Sequence, residues 1–152
     1  MRSLMQLAIN EAKKAFLVSE VPIGSIIIHS KTGNVISKAH NEVIRRNNTI
    51  YHAEILAINR ACALLGTQYL SGCDMYVTLE PCPMCAQAIS FSRLRRLYFG
   101  AYNIKYGGVD HGPRIFHSTS CFHKPEIIGG IQEKSCSAIM KKFFFNKRKN
   151  FY

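Results

Sequence analysis

A histidine, a glutamate and two cysteines are spaced so that they can do chemistry. His52 and Glu54 lie in HAE, and Cys82 and Cys85 in PCPMC thirty residues later. A neutral imidazole and two thiolates are ligands suited to zinc. Three protein ligands, not four, leave a position for water, which is the arrangement of a catalytic site and not of a structural one. Such a metal brings bound water to a pKa near ~7. Glu54, left out of the ligand set, is then free to carry protons.

The elements around these residues must bring the two motifs together. The stretch 75–79 is apolar and β-rich and reads as a strand, and Glu80-Pro81 reads as a turn. A helix opens at 82–85, with Pro81 and Pro83 where a missing N–H costs nothing. The positive end of that helix is expected to lower both thiol pKa values. Residues 52–65 read as a helix stopped by Gly66, with Ile55, Leu56, Ile58, Ala61, Cys62 and Leu65 inward. On a regular helix His52 and Glu54 point roughly 200° apart. Both can reach one metal only if His52 sits at an irregular helix start.

Around this centre, 2–19 reads as a packing helix with Leu4, Leu7, Ala8, Ala12, Ala15 and Phe16 on one face. Residues 25–29 and 35–39 form a hairpin. The segment 40–51 is a polar connection. Residues 96–100 are a strand, and 100–124 is a long loop with one helical turn near 114–118. A short strand at 126–131 precedes a helix from Glu133 to Arg148. There Phe143, Phe144, Phe145 and Phe151 interleave with Lys141, Lys142, Lys147, Arg148 and Lys149. Stacking faces beside cations suit a single-stranded nucleic acid. His111, His117 and His123 are too irregularly spaced for a second metal site.

The chain has 152 residues, 47% of them hydrophobic, and reads as one domain, 1–152, that can bury a full core. Its 20 Lys+Arg against 9 Asp+Glu give a formal net charge of +11, which points to a polyanionic partner. No apolar run reaches the ~18 residues of a membrane span. Residues 1–20 are interrupted by charge and lack a secretory core. The expectation is a cytoplasmic protein with reduced thiols, in which Cys62, Cys73, Cys121 and Cys136 are buried small apolar residues.

The order H-x-E…P-C-x-x-C is an established signature of zinc-dependent nucleobase deaminases. Beyond it, EVPIG (20–24), HN (40–41), HAEILAI (52–58), TLEPCPMC (78–85), RLRRLYFGA (93–101) and KYGG (105–108) occur in order. With these motifs and the basic Phe-Phe tail, the chain resembles the bacterial tRNA adenosine deaminases, which convert the wobble adenosine of an anticodon to inosine. The resemblance implies an α/β fold: a three-layer α/β/α sandwich on a mixed five-stranded sheet. It also implies one Zn²⁺ per subunit, a homodimer, and the tRNA anticodon stem-loop as partner. It assigns zinc to His52, Cys82 and Cys85 and proton transfer to Glu54. Substrate contacts fall to Asn41, Pro22, Ile23, Leu79, Asn103, Lys105, Phe144, Lys147 and Arg148. Phe143 is expected to face the core. Arg45 and Arg46 are either phosphate contacts or a solvated loop face.

Two positions depart from the family pattern. Asn103 stands where an acidic residue is usual, which should ease the approach of polyanions and loosen discrimination between ribose and deoxyribose. Tyr51 stands where a small residue is common. It crowds the pocket mouth, stacks on the base or packs in the core, and the sequence does not choose. Two other readings compete. A deaminase of free bases or nucleosides would not need the basic aromatic tail, so loss of 141–152 would separate the two. An RNA-binding module with structural zinc would need a fourth ligand, such as Cys62 or Cys73.

Overall fold

A computed structural model describes residues 3–150. Phe151, one of the expected tail aromatics, lies outside the described residues, as do residues 1, 2 and 152.

The chain runs α1 (Leu4–Leu17), β1 (Gly24–His29), β2 (Val35–His40), α2 (Ala53–Leu65), β3 (Cys73–Leu79), α3 (Pro83–Phe91), β4 (Arg96–Ala101), a single 3-10 turn (Ile115–His117), β5 (Glu126–Ile128) and α4 (Glu133–Lys149). The five strands form one sheet in the order β2-β1-β3-β4-β5. β1 is antiparallel to both β2 and β3, while β3–β4 and β4–β5 are parallel, so the sheet is mixed. The parallel β3–β4 pair requires a crossover, and α3 supplies it.

Alternation along the strands divides the core in two. On one face Ile27, Met75, Val77, Leu97 and Phe99 pack with Leu56, Ala57 and Ala61 of α2 and Ala86 and Ile89 of α3. On the other, Ile26 and Ile28 pack with Met5, Ala8 and Ile9 of α1 and Cys136 of α4. This is the expected three-layer sandwich. α1 lies so close to the sheet that a Cβ at Gly24 would stand 1.9 Å from the Ala8 carbonyl oxygen.

Several boundaries and faces differ from those the sequence suggested. β3 starts two residues earlier than expected and β5 is only three residues long. Met5 and Ile9 are buried in α1, whereas Phe16 is only half-buried. Leu65 was expected inward but is exposed: the last turn of α2 runs past the layer it packs against, and residues 63–69 are all exposed. Of the four other cysteines, Cys73 and Cys136 are buried and Cys62 and Cys121 half-buried, all as free thiols.

Candidate metal centre and substrate cleft

The backbone resolves the angular problem of His52 and Glu54. His52 is the N-cap of α2 in an extended conformation (φ −70°, ψ 154°), and Glu54 lies in the first turn. The Oδ1 of the buried Asn41 accepts a hydrogen bond from Ala53 N–H at 3.0 Å and secures the helix start. Cys82 is the extended N-cap of α3, with Pro83 at the first helical position, and Cys85 sits in the first turn. The two motifs are thus presented by two helix starts that face each other.

His52 Nδ1 lies 3.6 Å from Cys82 Sγ and 3.4 Å from Cys85 Sγ. The three ligand atoms lie within 4.8 Å of one another. A tetrahedral zinc with ordinary bond lengths separates nitrogen and sulfur ligands by about 3.6 Å. Among the described residues no other group of three or more His, Cys, Asp and Glu could hold a metal. Neither Cys62 nor Cys73 belongs to the group, so the closed four-ligand site of a structural zinc is not formed. Beside it the Oε2 of Glu54 is buried without a hydrogen-bond partner. A buried acceptor with nothing to accept is costly in a folded protein, and one facing a metal-bound water is not. The donor set and this orphaned oxygen both fit a catalytic zinc.

The site perturbs its own titrations. Burial pushes Glu54 up to about 7, with the Cys82 charge adding to the effect. Hydrogen bonding with Cys85, then with His52, pulls Cys82 down to about 4 against its own burial. Cys85 moves the opposite way, driven up by its bond to Cys82 and by burial. Without a metal the two sulfurs titrate as a coupled pair, with the negative charge on Cys82; zinc would take both as thiolates. His52 is raised, chiefly by its contact with Cys82.

These groups open on a cleft of ≈ 1170 Å³ between the C-terminal ends of β3 and β4, the 40–51 connection, the 102–106 loop and α4. Of the expected substrate residues, Ile23, Asn41, Leu79, Asn103, Lys105, Phe144 and Arg148 line it together with His52, Glu54 and Cys82. Pro22 is buried just before β1, and Lys147 lies over the Phe143 ring, 5.3 Å from its centroid; neither is among the lining residues. Phe143 is 5% exposed and Phe144 41%, so one ring enters the core and the other faces the cleft. Phe143 meets Phe16 edge-on at 6.0 Å. Loss of 141–152 would therefore remove a core side chain as well as a cleft-lining one, which makes substitution of Phe144 the cleaner way to separate the readings. Tyr51 packs against the larger core cluster and is not among the lining residues, which settles its three alternatives in favour of packing.

The arginines divide by partner. Arg46 bonds Glu42 at 3.1 Å, Arg95 makes a two-pronged pair with Asp74, Arg96 pairs with Glu126, and Arg93 lies over Tyr69. Neither Arg45 nor Arg46 is a lining residue. Burial opposes the ionised form of Glu42, but the Arg46 hydrogen bond and the Arg60 and Arg46 charges outweigh it and hold its carboxyl below the ordinary value of 4.5.

Sequence reasoning missed Glu80. Its side chain is fully buried, and it accepts N–H groups from Asn103, Val109, Asp110 and His111. The only sequence signal is a carboxylate ending an apolar strand, followed decades of residues later by a Gly-Gly loop. Glu20 and Tyr102 also line the cleft.

A three-layer α/β/α fold carrying a His/Cys/Cys centre and a buried glutamate defines a zinc-binding deaminase domain. Residues 1–101 match the family profile of the cytidine and deoxycytidylate deaminase zinc-binding region. The tRNA-specific adenosine deaminase of Rickettsia bellii is 47% identical over 140 residues, covering 92% of this chain and 97% of the relative. A solved structure from studies of A-to-I editing by tRNA:A34 deaminases at the wobble position of transfer RNA superposes with a TM-score of 0.86 at 45% identity, over 89% of this chain and 96% of that one. The guanine deaminase of Nitrosomonas europaea shares the fold, with a TM-score of 0.80 at 21% identity over 91% of this chain and 81% of that one. The chain belongs to the tRNA-specific adenosine deaminase family.

Proposed function

We propose that this protein hydrolyses adenosine to inosine at the wobble position of tRNA anticodons, as a single deaminase domain. Zinc held by His52, Cys82 and Cys85 would act as the Lewis acid that makes water a nucleophile at neutral pH. Glu54 supplies the proton traffic. Its unpartnered Oε2 takes one proton from the attacking water and passes it to ring N1, then takes the remaining proton of the hydroxyl added at C6 and passes it to the departing amino group. Water adds at C6, ammonia leaves, and the sum is adenosine plus water giving inosine plus ammonia. A carboxyl poised at about 7 both accepts and returns a proton at neutral pH.

The observation that carries the substrate reading is the cleft wall opposite the metal group. Phe144, Lys105, Lys141 and Arg148 line it, and a free base carries no phosphate for those three cations to meet. An RNA loop needs both, stacking for a splayed base and cations for the phosphates beside it. Asn41, its oxygen committed to Ala53, keeps its amide donors for the nucleoside. Lys147, away from the lining, suits phosphates farther along the strand. The tRNA-acting relatives support a cytoplasmic setting. No helix among the described residues is long and apolar enough to cross a membrane. A homodimer is supported by large apolar side chains left exposed on α2 and α3, among them Leu64, Met84 and Phe91.

The test compares an anticodon stem-loop bearing a wobble adenosine with free adenosine, cytidine and guanine at equal concentration. Inosine from the stem-loop, with the small molecules at least ~100-fold poorer in kcat/KM, supports the reading. Preference for a free base would replace it with the nucleobase deaminase alternative.

A further inference from the structure

The geometry points to Glu80, together with His111, as the positioning residue that fixes the substrate-binding loop 102–111 onto the metal turn; the inference rests on the tRNA reading above. Glu80 Oε1 accepts from Asn103 N–H at 3.3 Å and lies 2.8 Å from His111 Nδ1. Its Oε2 accepts from Val109 N–H at 3.3 Å and from Asp110 and His111 N–H at 3.1 Å each. Because a carboxylate only accepts, His111 Nδ1 donates. One side chain thus satisfies both ends of the loop and stands two residues before Cys82.

The loop has been brought in close to make this possible. A Cβ at Gly107 would stand 2.3 Å from Glu80 Oε2, and one at Gly108 2.5 Å from Pro83 N. Gly108 N–H donates to Pro81 O at 2.8 Å, tying the loop to the turn that carries the metal ligands. Asn103 then closes the outer turn, its Oδ1 accepting Tyr106 N–H at 3.0 Å and its carbonyl accepting Gly107 N–H. Between them hang Ile104 and Lys105, which line the cleft with no anchor of their own in the core. Glu80 borders the cleft, but its fully buried carboxylate is taken up by the loop N–H groups and His111. It acts by holding Asn103 and Lys105 where RNA meets them.

The test uses the full-length zinc-loaded protein. Glu80→Gln keeps the shape but turns one accepting oxygen into a donor facing N–H groups. Hydrogen exchange without RNA should show the amides of 109–111 exchanging at least ~10-fold faster than in wild type. The KM for the stem-loop should rise about 10-fold with kcat changed less than about 2-fold, the signature of lost uniform binding. His111→Ala removes one donor at a part-exposed position and should give a smaller KM rise with an unchanged fold, which keeps the inference testable if Glu80→Gln does not fold. Unchanged loop exchange, an unchanged KM, or a fall in kcat with loss of zinc would each overturn it. No inosine from the wild type would instead overturn the functional reading, and this inference with it.

Discussion

His52 stands just outside α2 and Glu54 just inside it, and this single step in backbone conformation lets both face the two cysteines of α3. Were His52 helical, the two side chains would diverge by roughly 200°. The extended N-cap turns His52 Nδ1 onto the sulfurs, and the first turn carries Glu54 beside them.

Removing a ligand should remove the metal. Cys85→Ser or His52→Ala is expected to lose stoichiometric zinc by elemental analysis and to abolish deamination. Chelation of the wild type should do the same reversibly, with activity restored by added zinc. Full activity of the chelated protein would contradict this.

Phe144 offers a separate handle on RNA. Base stacking contributes ~1–3 kcal/mol per base, so Phe144→Ala should weaken stem-loop binding by about 5- to 150-fold. The fold should persist, because the neighbouring Phe143 and not Phe144 fills the core. Binding measured by fluorescence anisotropy decides it, and an unchanged affinity would place the RNA elsewhere.

Phosphate contacts release counterions, so log K for the stem-loop should fall linearly with log salt. Lys105→Ala and Arg148→Ala should each lower the slope by about 0.7, the single-strand value for one phosphate contact. A salt-independent affinity would remove these cations from the interface.

Gly24 tests the packing of α1 on the sheet. A Cβ there meets the Ala8 carbonyl oxygen and the Ala12 nitrogen, both backbone atoms that cannot step aside. Gly24→Ala should cost at least ~1–3 kcal/mol in urea denaturation. A neutral substitution would mean that α1 shifts freely.

Glu42 gives stability its acid limb. Its folded pKa is depressed below 4.5, so its contribution is fully present above that value and is lost as pH falls through the folded pKa. The stability gap between wild type and Glu42→Gln should be constant from about pH 6 to 8 and close in acid below 4.5. A gap that widened on acidification would have the wrong sign.

The metal group was legible because the chemistry demands particular residue types at particular spacings, and both motifs sit at helix starts, the second of them marked in the sequence by Pro83. The split of Phe143 and Phe144 between core and cleft was legible too, but only through the resemblance, since an FFF run has no period of its own. Glu80 was not legible. Its partners are backbone N–H groups of residues 103–111, and no residue type announces a backbone donor. The pairing of Arg46, Arg95 and Arg96 with acidic partners was hidden for a similar reason: charge counts add every cation, while the fold decides which are already matched. Leu65 continued the helical stripe in sequence, but burial depends on where the neighbouring layer ends.

The central claim is that this chain is a tRNA adenosine deaminase in which Glu54 moves the protons. The most direct measurement is inosine formation in a stem-loop bearing a wobble adenosine, by wild type and by zinc-loaded Glu54→Gln. The account predicts quantitative inosine from the wild type and a rate lower by about 10²–10⁴-fold in the variant at unchanged zinc content. Equal rates from the two proteins, or no inosine from a zinc-loaded wild type, would contradict it.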